Sequence, residues 1–499
     1  MSSHFSRRQF LRQGAAALAS AAFLGAQSSR KPNILFVIAD DWSYGHAGAY
    51  GCKWINTPNF DRVAREGVLF TNTFTSNPKC SPCRASILTG RNTWQLKEAI
   101  NHFSIFPSEF PVYPTLLEKG GYFAGCTGKG WGPGDYQSTG MPHNPAGREY
   151  HKHTLKPPHS GISPKDYAAN FEYFLAQRPK DQPFCFWYGG HEPHRDYEEG
   201  SGVRAGKKPA DVIVPGYYPD ARVVRSDMLD YALEVEWFDM HLGRMLKKLE
   251  ETGELDNTFV LVTSDHGMPF PRVKGQIYEP AFHIPLAVRW GKNIGAGRVV
   301  DDFINVRDYA PTFLELAGVP KAASITGRSF LDVLRSGKSG VVDATRNVML
   351  IGKERHDLGR PSDAGYPARA IRTPEYLYVR NYEPDRWPAG NPETGYRNVD
   401  DGPTKEFLLR GFDEYYRMSF GKRQPEELYH IKSDPDCLKN LARDMKHIQI
   451  KRDLQARMDK MLREEGDPRA LGNAAFFDTI EYTGPKRHSY DTWLKNQKN

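Results

Sequence analysis

The chain contains three short apolar runs, and each ends near side chains able to bind a metal ion or move a proton. The runs cover residues 33–39, 183–188 and 259–263, and they are followed by Asp40, Asp41, His191, Asp265 and His266. Continuous apolar runs rich in β-branched and aromatic residues are typical of strands buried on both faces of a parallel sheet. Because ligands bind beyond the carboxyl ends of such strands, these polar side chains are expected to share one site.

Helical patterns separate the apolar runs. Between residues 226 and 253, apolar residues recur at spacings of three and four, and they predict a long helix that Gly253 ends. A shorter helix is predicted to begin at Pro58 and to end at Gly67. Strands that alternate with helices predict an α/β fold, with a mainly parallel central sheet flanked by helices.

The pattern changes near residue 345. Short strands are predicted over residues 348–351, 377–379 and 427–429, and a final helix carries Ile450, Leu454, Met458, Met461 and Leu462 before Gly466. These elements predict a smaller α+β C-terminal domain over residues 346–499, after a larger domain over residues 31–345. Residues 467–499 show no clear period and are expected to be loop-like.

The first 30 residues have the features of an export signal. Residues 6–11 read SRRQFL, a twin-arginine pattern, and a short Ala-rich apolar stretch follows over residues 14–24. An ordinary amphipathic N-terminal arm is the alternative. We therefore expect residues 1–30 to be a twin-arginine signal peptide and the mature protein to be periplasmic or extracellular.

Composition narrows the class of protein. With 39% hydrophobic and 25% charged residues, the 499-residue chain is expected to fold, and no apolar run reaches the roughly 18 residues of a membrane span. The formal charge of +7 is too small and dispersed to favour nucleic acid, but it is compatible with an anionic substrate. Removing residues 1–27 takes away three arginines and lowers that charge to +4. Six cysteines are too few for a disulfide scaffold of this length.

The most specific motif covers residues 80–91 and reads CSPCRASILTGR. Pro82 suits the first turn of a helix that begins beside Cys80. Free N–H groups at the start of a helix, together with the Arg84 cation, favour a bound anion. Two alternatives are a redox pair of Cys80 with Cys83 and a zinc site. The chain lacks the rest of a thioredoxin-like unit and a second cysteine pair, which these alternatives need.

This motif resembles the signature of the type I sulfatases of the alkaline phosphatase superfamily. That signature runs Cys-x-Pro-x-Arg followed by Leu-Thr-Gly-Arg, and Cys83 stands where Ser is common. The resemblance implies an alkaline phosphatase-like fold, a formylglycine formed from Cys80, and a formylglycine-generating enzyme as a partner. Residues 191–195 (HEPHR) and 264–271 (SDHGMPFP) are most similar to the heparan N-sulfatase (sulfamidase) subgroup.

The resemblance also implies a metal site and a set of catalytic residues. The metal ligands it implies are Asp40, Asp41, Cys80, Asp265 and His266. The family uses Ca²⁺, and the imidazole of His266, where Asn is frequent, also suits Zn²⁺ or Mn²⁺. The catalytic residues it implies are Cys80, Arg84, Lys129, His191 and Lys274. Hydrated formylglycine is the expected nucleophile, the metal and the three cations hold the sulfate, and His191 protonates the leaving group.

One position departs from the family pattern. The family has Lys-x-His where this chain has Lys129-Gly130-Trp131, and an indole cannot accept a proton. His102 or His194 could serve as the base instead, and Trp131 could stack on a sugar ring. The residues expected to bind substrate are His102, Trp131, His194, Arg355 and His356.

The expected function is hydrolysis of an O-sulfate or N-sulfate on a sulfated glycan or oligosaccharide. Two alternatives stay open. One is a phosphodiesterase or phosphonate monoester hydrolase on the same scaffold, which the Asp265-His266 pair allows. The other is a non-catalytic glycan-binding relative, which Trp131 suggests.

Overall fold

The computed structural model describes residues 30–411, 413–486 and 489–497. The predicted twin-arginine signal, residues 1–30, therefore lies outside the described residues apart from Arg30. Within the described residues, no helix is both long enough and apolar enough to cross a membrane.

The described strands form a central sheet, a C-terminal sheet and a two-stranded ribbon. In chain order they are β1 (Asn33–Ala39), β2 (Val68–Phe74), β3 (Ser104–Ile105), β4 (Phe123–Gly128), β5 (Gly134–Asp135), β6 (Phe184–Gly189), β7 (Thr258–Ser264), β8 (His283–Arg289), β9 (Arg298–Val300), β10 (Ile304–Asn305), β11 (Met349–Lys353), β12 (Ala368–Arg372), β13 (Tyr376–Asn381) and β14 (Glu426–His430). The α-helices are α1 (Pro58–Arg65), α2 (Cys80–Thr89), α3 (Tyr113–Lys119), α4 (Tyr167–Gln177), α5 (Ser201–Arg204), α6 (Arg222–Glu251), α7 (Glu279–Phe282), α8 (Tyr309–Leu316), α9 (Leu331–Arg335), α10 (Pro403–Leu409), α11 (Asp413–Phe420), α12 (Ile448–Glu464) and α13 (Tyr490–Asn496).

The central sheet is mixed, and its parallel half contains the three predicted strands. The order across the sheet is β10-β2-β8-β7-β1-β6-β4, with β9 beside β2. Strand β1 runs parallel to both β7 and β6, and β6 runs parallel to β4, whereas β8 is antiparallel to β7 and β2. All residues of β1, β6 and β7 are buried. The predicted α/β class is confirmed, and the carboxyl ends of the three apolar strands meet at one edge.

The long helix α6 covers one face of this sheet. It begins at Arg222, four residues before the predicted start, because Val224 is already buried and extends the apolar face. The Asp239 carboxylate accepts the backbone N–H groups of Asn59 and Phe60 at 3.0 and 2.7 Å, which joins α6 to the first turn of α1. The apolar face of α6 predicted from residue spacing is therefore the face that packs in the core.

The C-terminal sheet begins at Met349 and is antiparallel throughout, in the order β11-β12-β13-β14. The sequence predicts three of its strands but not β12, whose two arginines interrupt the apolar pattern. Helix α12 packs on the sheet through Leu454, Met458 and Leu462. The expectation of a loop is wrong for residues 490–496, which form α13. A domain boundary at residue 346 stays a prediction.

Arg369 is the centre of a buried ion cluster that joins this sheet to the segment after α12. Its guanidinium donates to both carboxylate oxygens of Asp467, at 2.8 and 3.0 Å, and lies 2.8 Å from Glu354. Arg369 and Asp467 are fully buried. Because a buried charge without a partner is strongly unfavourable, each member of the cluster depends on the others.

We expect Arg369→Met to lower the free energy of unfolding by about 3–5 kcal/mol, because Asp467 would stay buried without its guanidinium partner. Arg380→Met is the matched control: Arg380 lies opposite Arg369 on β13 and pairs with the part-exposed Asp459. Exposed pairs contribute about 0.2–1 kcal/mol. Urea unfolding followed by circular dichroism measures both variants, and equal losses of stability would contradict the prediction.

Candidate active site

A cavity of about 880 Å³ lies beyond the carboxyl ends of β1, β4 and β6. Each of these strands leads directly into a wall of the cavity, at Asp40, Lys129 and His191 respectively. The predicted site residues that line it are Asp40, Cys80, His102, Lys129, His191, His194 and Lys274. The sheet topology therefore brings together residues that are up to 234 positions apart in the sequence.

Cys80 is the first residue of α2, a helix buried along its whole length. Its Sγ atom lies 3.4 Å from Nε2 of His266. Burial, and then the charge of Asp40, raise the pKa of the Cys80 thiol. An unmodified thiol here stays protonated at neutral pH and is a poor nucleophile. Cys80 and Cys83 are both free, so the structure contains no redox disulfide at this position.

Arg84 holds the carboxylates at the strand ends. Its Nε donates to Asp265 at 2.9 Å, one terminal nitrogen donates to Asp40 at 3.2 Å, and the other donates to the carbonyl of Lys129 at 2.7 Å. The side chain is fully buried. These contacts use the guanidinium as a rigid fork, so Arg84 fixes the two carboxylates and does not itself line the cavity.

Lys129 and Lys274 place two ammonium groups at the cavity surface. Lys129 Nζ lies 2.5 Å from Asp40, and Lys274 Nζ lies 2.7 Å from Asp41 and 2.8 Å from Asp400. Burial favours the neutral amines, but the carboxylates outweigh it and raise the pKa of both lysines. Both side chains therefore stay positively charged in the buried site.

Four of the predicted metal ligands form one group. The ligand atoms of Asp40, Asp41, Cys80 and His266 all lie within 4.8 Å of one another. Nδ1 of His266 donates to the carbonyl of Gly267 at 3.1 Å, so Nε2 has the free lone pair. That lone pair faces Asp41 Oδ1 at 3.0 Å, and this oxygen accepts no hydrogen bond from any described residue. Cys80 Sγ also lies 3.4 Å from this Nε2, and an unpartnered carboxylate oxygen beside an imidazole nitrogen and a sulfur fits a bound cation.

Asp265 lies beside this group and has a different set of partners. It accepts from Arg84 and from the backbone N–H of Asp41, and one of its oxygens lies 3.7 Å from His266 Nε2. Burial raises its pKa. Asp265 thus contacts Arg84 and the backbone of Asp41 in this structure. Its role as a metal ligand stays a prediction.

Two of the cavity histidines are held by contacts at Nδ1. Nδ1 of His102 donates to Asp357 at 2.6 Å, and Asp357 also accepts Lys79 Nζ at 2.7 Å. Nε2 of His102 is buried and has no hydrogen-bond partner among the described residues. Burial lowers the pKa of His102 to about 4, so its imidazole is neutral at pH 7. His194 donates from Nδ1 to the carbonyl of Arg195 at 2.5 Å.

The third cavity histidine contacts a lysine. Nε2 of His191 lies 3.3 Å from Lys165 Nζ, which also lines the cavity. Burial, followed by the charges of Lys165 and Lys129, lowers the pKa of His191 to about 3. This imidazole is therefore neutral at pH 7 as well.

Comparison with known protein families agrees with the arrangement of the site. Residues 32–319 match the family model for sulfatases, and residues 270–387 match the model for the C-terminal region of N-sulphoglucosamine sulphohydrolase. The chain belongs to the sulfatase family. The family predicted from residues 80–91 is confirmed.

Relatives of this sulfatase-family chain extend over most of its length. Human N-sulphoglucosamine sulphohydrolase is 28% identical over 89% of this chain and 92% of its own length. An ulvan-active sulfatase of Formosa agariphila is 28% identical over 88% of this chain and 81% of its own. A solved structure of a protein in complex with its substrate D-glucosamine-2-N,6-O-disulfate has a TM-score of 0.64 at 21% identity, covering 88% of this chain and 98% of that one. At this identity, the solved structure supports the fold alone.

Three residues expected to bind substrate lie outside the cavity of this sulfatase. The Trp131 ring is buried against Phe106 and donates from Nε1 to the carbonyl of Ser81 at 3.0 Å, so its face is not available to a sugar. Nε2 of His356 is bonded to the side-chain oxygen of Asn77 at 2.8 Å. The guanidinium of Arg355 packs over Tyr482 at 5.5 Å. None of the three lines the cavity in this structure.

Other charged residues line the cavity and are absent from the predicted set. They are Lys79, Lys165, Arg195, Asp357, Arg397 and Asp400. Three of them had a signal in the sequence: Lys79 directly precedes Cys80, Arg195 ends the HEPHR motif at residues 191–195, and Asp357 directly follows the charged cluster at residues 353–356. The other three lie in loops without a distinctive pattern.

We expect EDTA-treated protein to bind one divalent ion, and Asp41→Asn or His266→Ala to weaken that binding by more than about tenfold, because the first change removes a negative charge and the second removes a ligand nitrogen. His447→Ala, at a surface histidine paired with Asp444, is the control and should leave the affinity unchanged. Calorimetric titration with Ca²⁺, Zn²⁺ and Mn²⁺ measures the affinities. Wild-type affinity in the Asp41 and His266 variants would show that the ion binds elsewhere.

Proposed function

We propose that the protein hydrolyses the sulfate group of a sulfated sugar by means of a formylglycine formed from Cys80. The observation that carries this proposal is the position of Cys80, which opens on the cavity together with the charged ammonium groups of Lys129 and Lys274. A sulfate next to residue 80 would meet two fixed cations in a largely desolvated site. Such preorganised charge stabilises the negative charge that develops on the sulfuryl oxygens.

Modification of Cys80 would resolve a difficulty that burial creates. The thiol is held protonated, whereas formylglycine supplies a hydrated aldehyde with an oxygen nucleophile. A formylglycine-generating enzyme is the partner that this chemistry requires. We propose that the modification precedes export through the twin-arginine signal at residues 1–30, since that route carries folded proteins, and that the protein works in the periplasm or outside the cell.

The metal site is proposed to consist of Asp40, Asp41, His266 and residue 80, with Asp265 beside them. Ca²⁺ is the first candidate because carboxylate oxygens predominate, and the imidazole makes Zn²⁺ or Mn²⁺ the alternatives. A divalent ion bound there would add positive charge at the sulfuryl oxygens. Arg84, Lys129 and Lys274 hold the carboxylates that would bind the ion.

Two histidines divide the proton transfers in the proposed mechanism. His191 lies at the cavity wall and protonates the leaving oxygen or nitrogen. His102 takes the place of the base that Trp131 cannot supply. Its Nδ1–H is fixed by the Asp357 carboxylate and its Nε2 is free, which is the hydrogen-bonding pattern of a general base. His194 is left to contact the substrate.

An N-sulfated glucosamine is the substrate class we propose. Support comes from the match of residues 270–387 to the N-sulphoglucosamine sulphohydrolase C-terminal model and from the human relative of that name. The cavity volume of about 880 Å³ is in the range of small-molecule sites and would accommodate a short sugar. Additional cations at the wall, Lys79 and Arg397, suit a substrate with more than one negative charge.

We expect mass spectrometry to find formylglycine at residue 80 in protein produced with a formylglycine-generating enzyme. Cys80→Ala should then reduce turnover of glucosamine N-sulfate by at least about 10³-fold, because it removes the nucleophile. Cys83→Ser is the control, since it changes a neighbouring cysteine to the residue common in the family.

The substrate panel also contains glucosamine 6-sulfate and bis(4-nitrophenyl) phosphate. Clear preference for the phosphodiester would favour a phosphodiesterase instead. An unmodified thiol in fully active protein would overturn the formylglycine mechanism. Glycan binding without turnover, unchanged in Cys80→Ala, would indicate a non-catalytic relative.

A further inference from the structure

Lys165 differs from the other cations of the cavity in its partner. Lys79, Lys129, Lys274, Arg195 and Arg397 each lie within 3.0 Å of a carboxylate oxygen. In the described parts of the chain, no carboxylate lies within the 4.0 Å ion-pair distance of Lys165. Its ammonium instead lies 3.3 Å from Nε2 of His191. An ammonium that is hydrogen-bonded to an imidazole can transfer a proton to it. Lys165 therefore has a possible proton acceptor in His191, in addition to its positive charge.

The contact between Lys165 and His191 is fixed by the segments around it. Ser163 and Tyr167 flank Lys165, and both bond to the buried carboxylate of Glu192, at 2.8 and 2.9 Å. The Tyr167 hydroxyl also accepts the backbone N–H of His191 at 3.2 Å. Glu192 therefore holds the lysine segment against the histidine, and the two side chains meet at the cavity wall.

The hydrogen bond determines which nitrogen of His191 has the proton. An ammonium is a donor only, so Nε2 must accept and the neutral imidazole carries its proton on Nδ1. Nδ1 has no hydrogen-bond partner among the described residues, and His191 lines the cavity. The ring can therefore donate from Nδ1 while it accepts at Nε2.

The surrounding charges favour a single shared positive charge on this pair. Lys129 and Lys165 disfavour an imidazolium at His191, and Asp40 only partly offsets them. Burial also lowers the pKa of Lys165, against the opposing charges of Glu149 and Glu192. A lysine with a lowered pKa is a better proton donor than a solvated one.

We propose that Lys165 and His191 form a two-residue proton relay to the leaving group of the substrate. When the S–N or S–O bond breaks, its electron pair stays on the leaving atom, which takes the proton from His191 Nδ1. His191 Nε2 takes a proton from Lys165 Nζ, so the imidazole stays neutral and Lys165 becomes a neutral amine. The pair is reset when His191 Nδ1 takes a proton from water and Nε2 returns its proton to the Lys165 amine. This relay rests on the proposed sulfatase function and assigns Lys165 to it.

Leaving-group dependence tests the relay. In Lys165→Met, turnover of glucosamine N-sulfate should fall by about 10²-fold or more, which is the usual contribution of a general acid, whereas 4-nitrophenyl sulfate should lose less than about tenfold because its phenolate leaves without a proton. Lys156→Met removes an exposed lysine of the same loop and is the control for charge. Equal losses on both substrates would overturn the relay.

Lys165→Arg separates proton donation from charge. Arginine keeps the positive charge, but its pKa is too high for it to release a proton. We expect this variant to be as impaired on glucosamine N-sulfate as Lys165→Met. Recovery to near wild-type turnover would mean that charge alone is needed and would overturn the relay.

The tautomer of His191 gives a readout that does not depend on turnover. In ¹⁵N-histidine-labelled protein, with the signal assigned by its loss in His191→Gln, we expect a neutral ring protonated at Nδ1. Protonation at Nε2 would overturn the relay. If the unmutated enzyme turned over neither sulfated sugar nor 4-nitrophenyl sulfate, the proposed function would fail, and the tautomer would still decide whether Lys165 and His191 are arranged as proposed.

Discussion

Asp40, Asp41 and Asp265 lie buried side by side at the carboxyl end of β1 and β7, and their mutual repulsion has to be offset within the protein. Arg84 bridges Asp40 and Asp265. Lys129 pairs with Asp40, and Lys274 pairs with Asp41. Removing an ion from water costs several kcal/mol unless a partner compensates it. The site is therefore stable only when all of these strand ends and α2 are in place together, which the parallel order β7-β1-β6-β4 ensures.

The C-terminal sheet contributes to this balance although the chemistry lies in the first part of the chain. Just beyond β11, Asp357 pairs with Lys79 and His102. Lys353 Nζ donates to the carbonyl of Gly275, next to Lys274, at 2.6 Å. Burial, followed by the charge of Arg360, lowers the pKa of Lys353 well below its usual value. One short segment that begins in the second sheet thus contacts both the residue before Cys80 and the residue after Lys274.

The parts of this molecule that could be predicted from the sequence are those with a local signal. Strands buried on both faces have an apolar run of their own, which is why β1, β6 and β7 and the polar residues after them were predictable. Lys165 and Asp400 have no such signal, because their partners lie 26 and 126 positions away and only the tertiary fold brings them together. A single sequence also shows that a residue is aromatic but does not show where its side chain points. Trp131 points into the core because its indole N–H donates to the carbonyl of Ser81.

The side chain of Trp131 points into the core and does not line the cavity. Its indole donates a hydrogen bond to Ser81 in the first turn of α2 and packs against Phe106. Residue 131, where the family has a histidine base, therefore has a packing role in this chain. Under the proposed mechanism the proton acceptor then has to come from another wall of the cavity. His102 meets this need only because Asp357 holds its Nδ1–H, and Asp357 belongs to the C-terminal part of the chain. The buried indole of Trp131 and the contact between Asp357 and His102 are thus parts of one arrangement around the cavity.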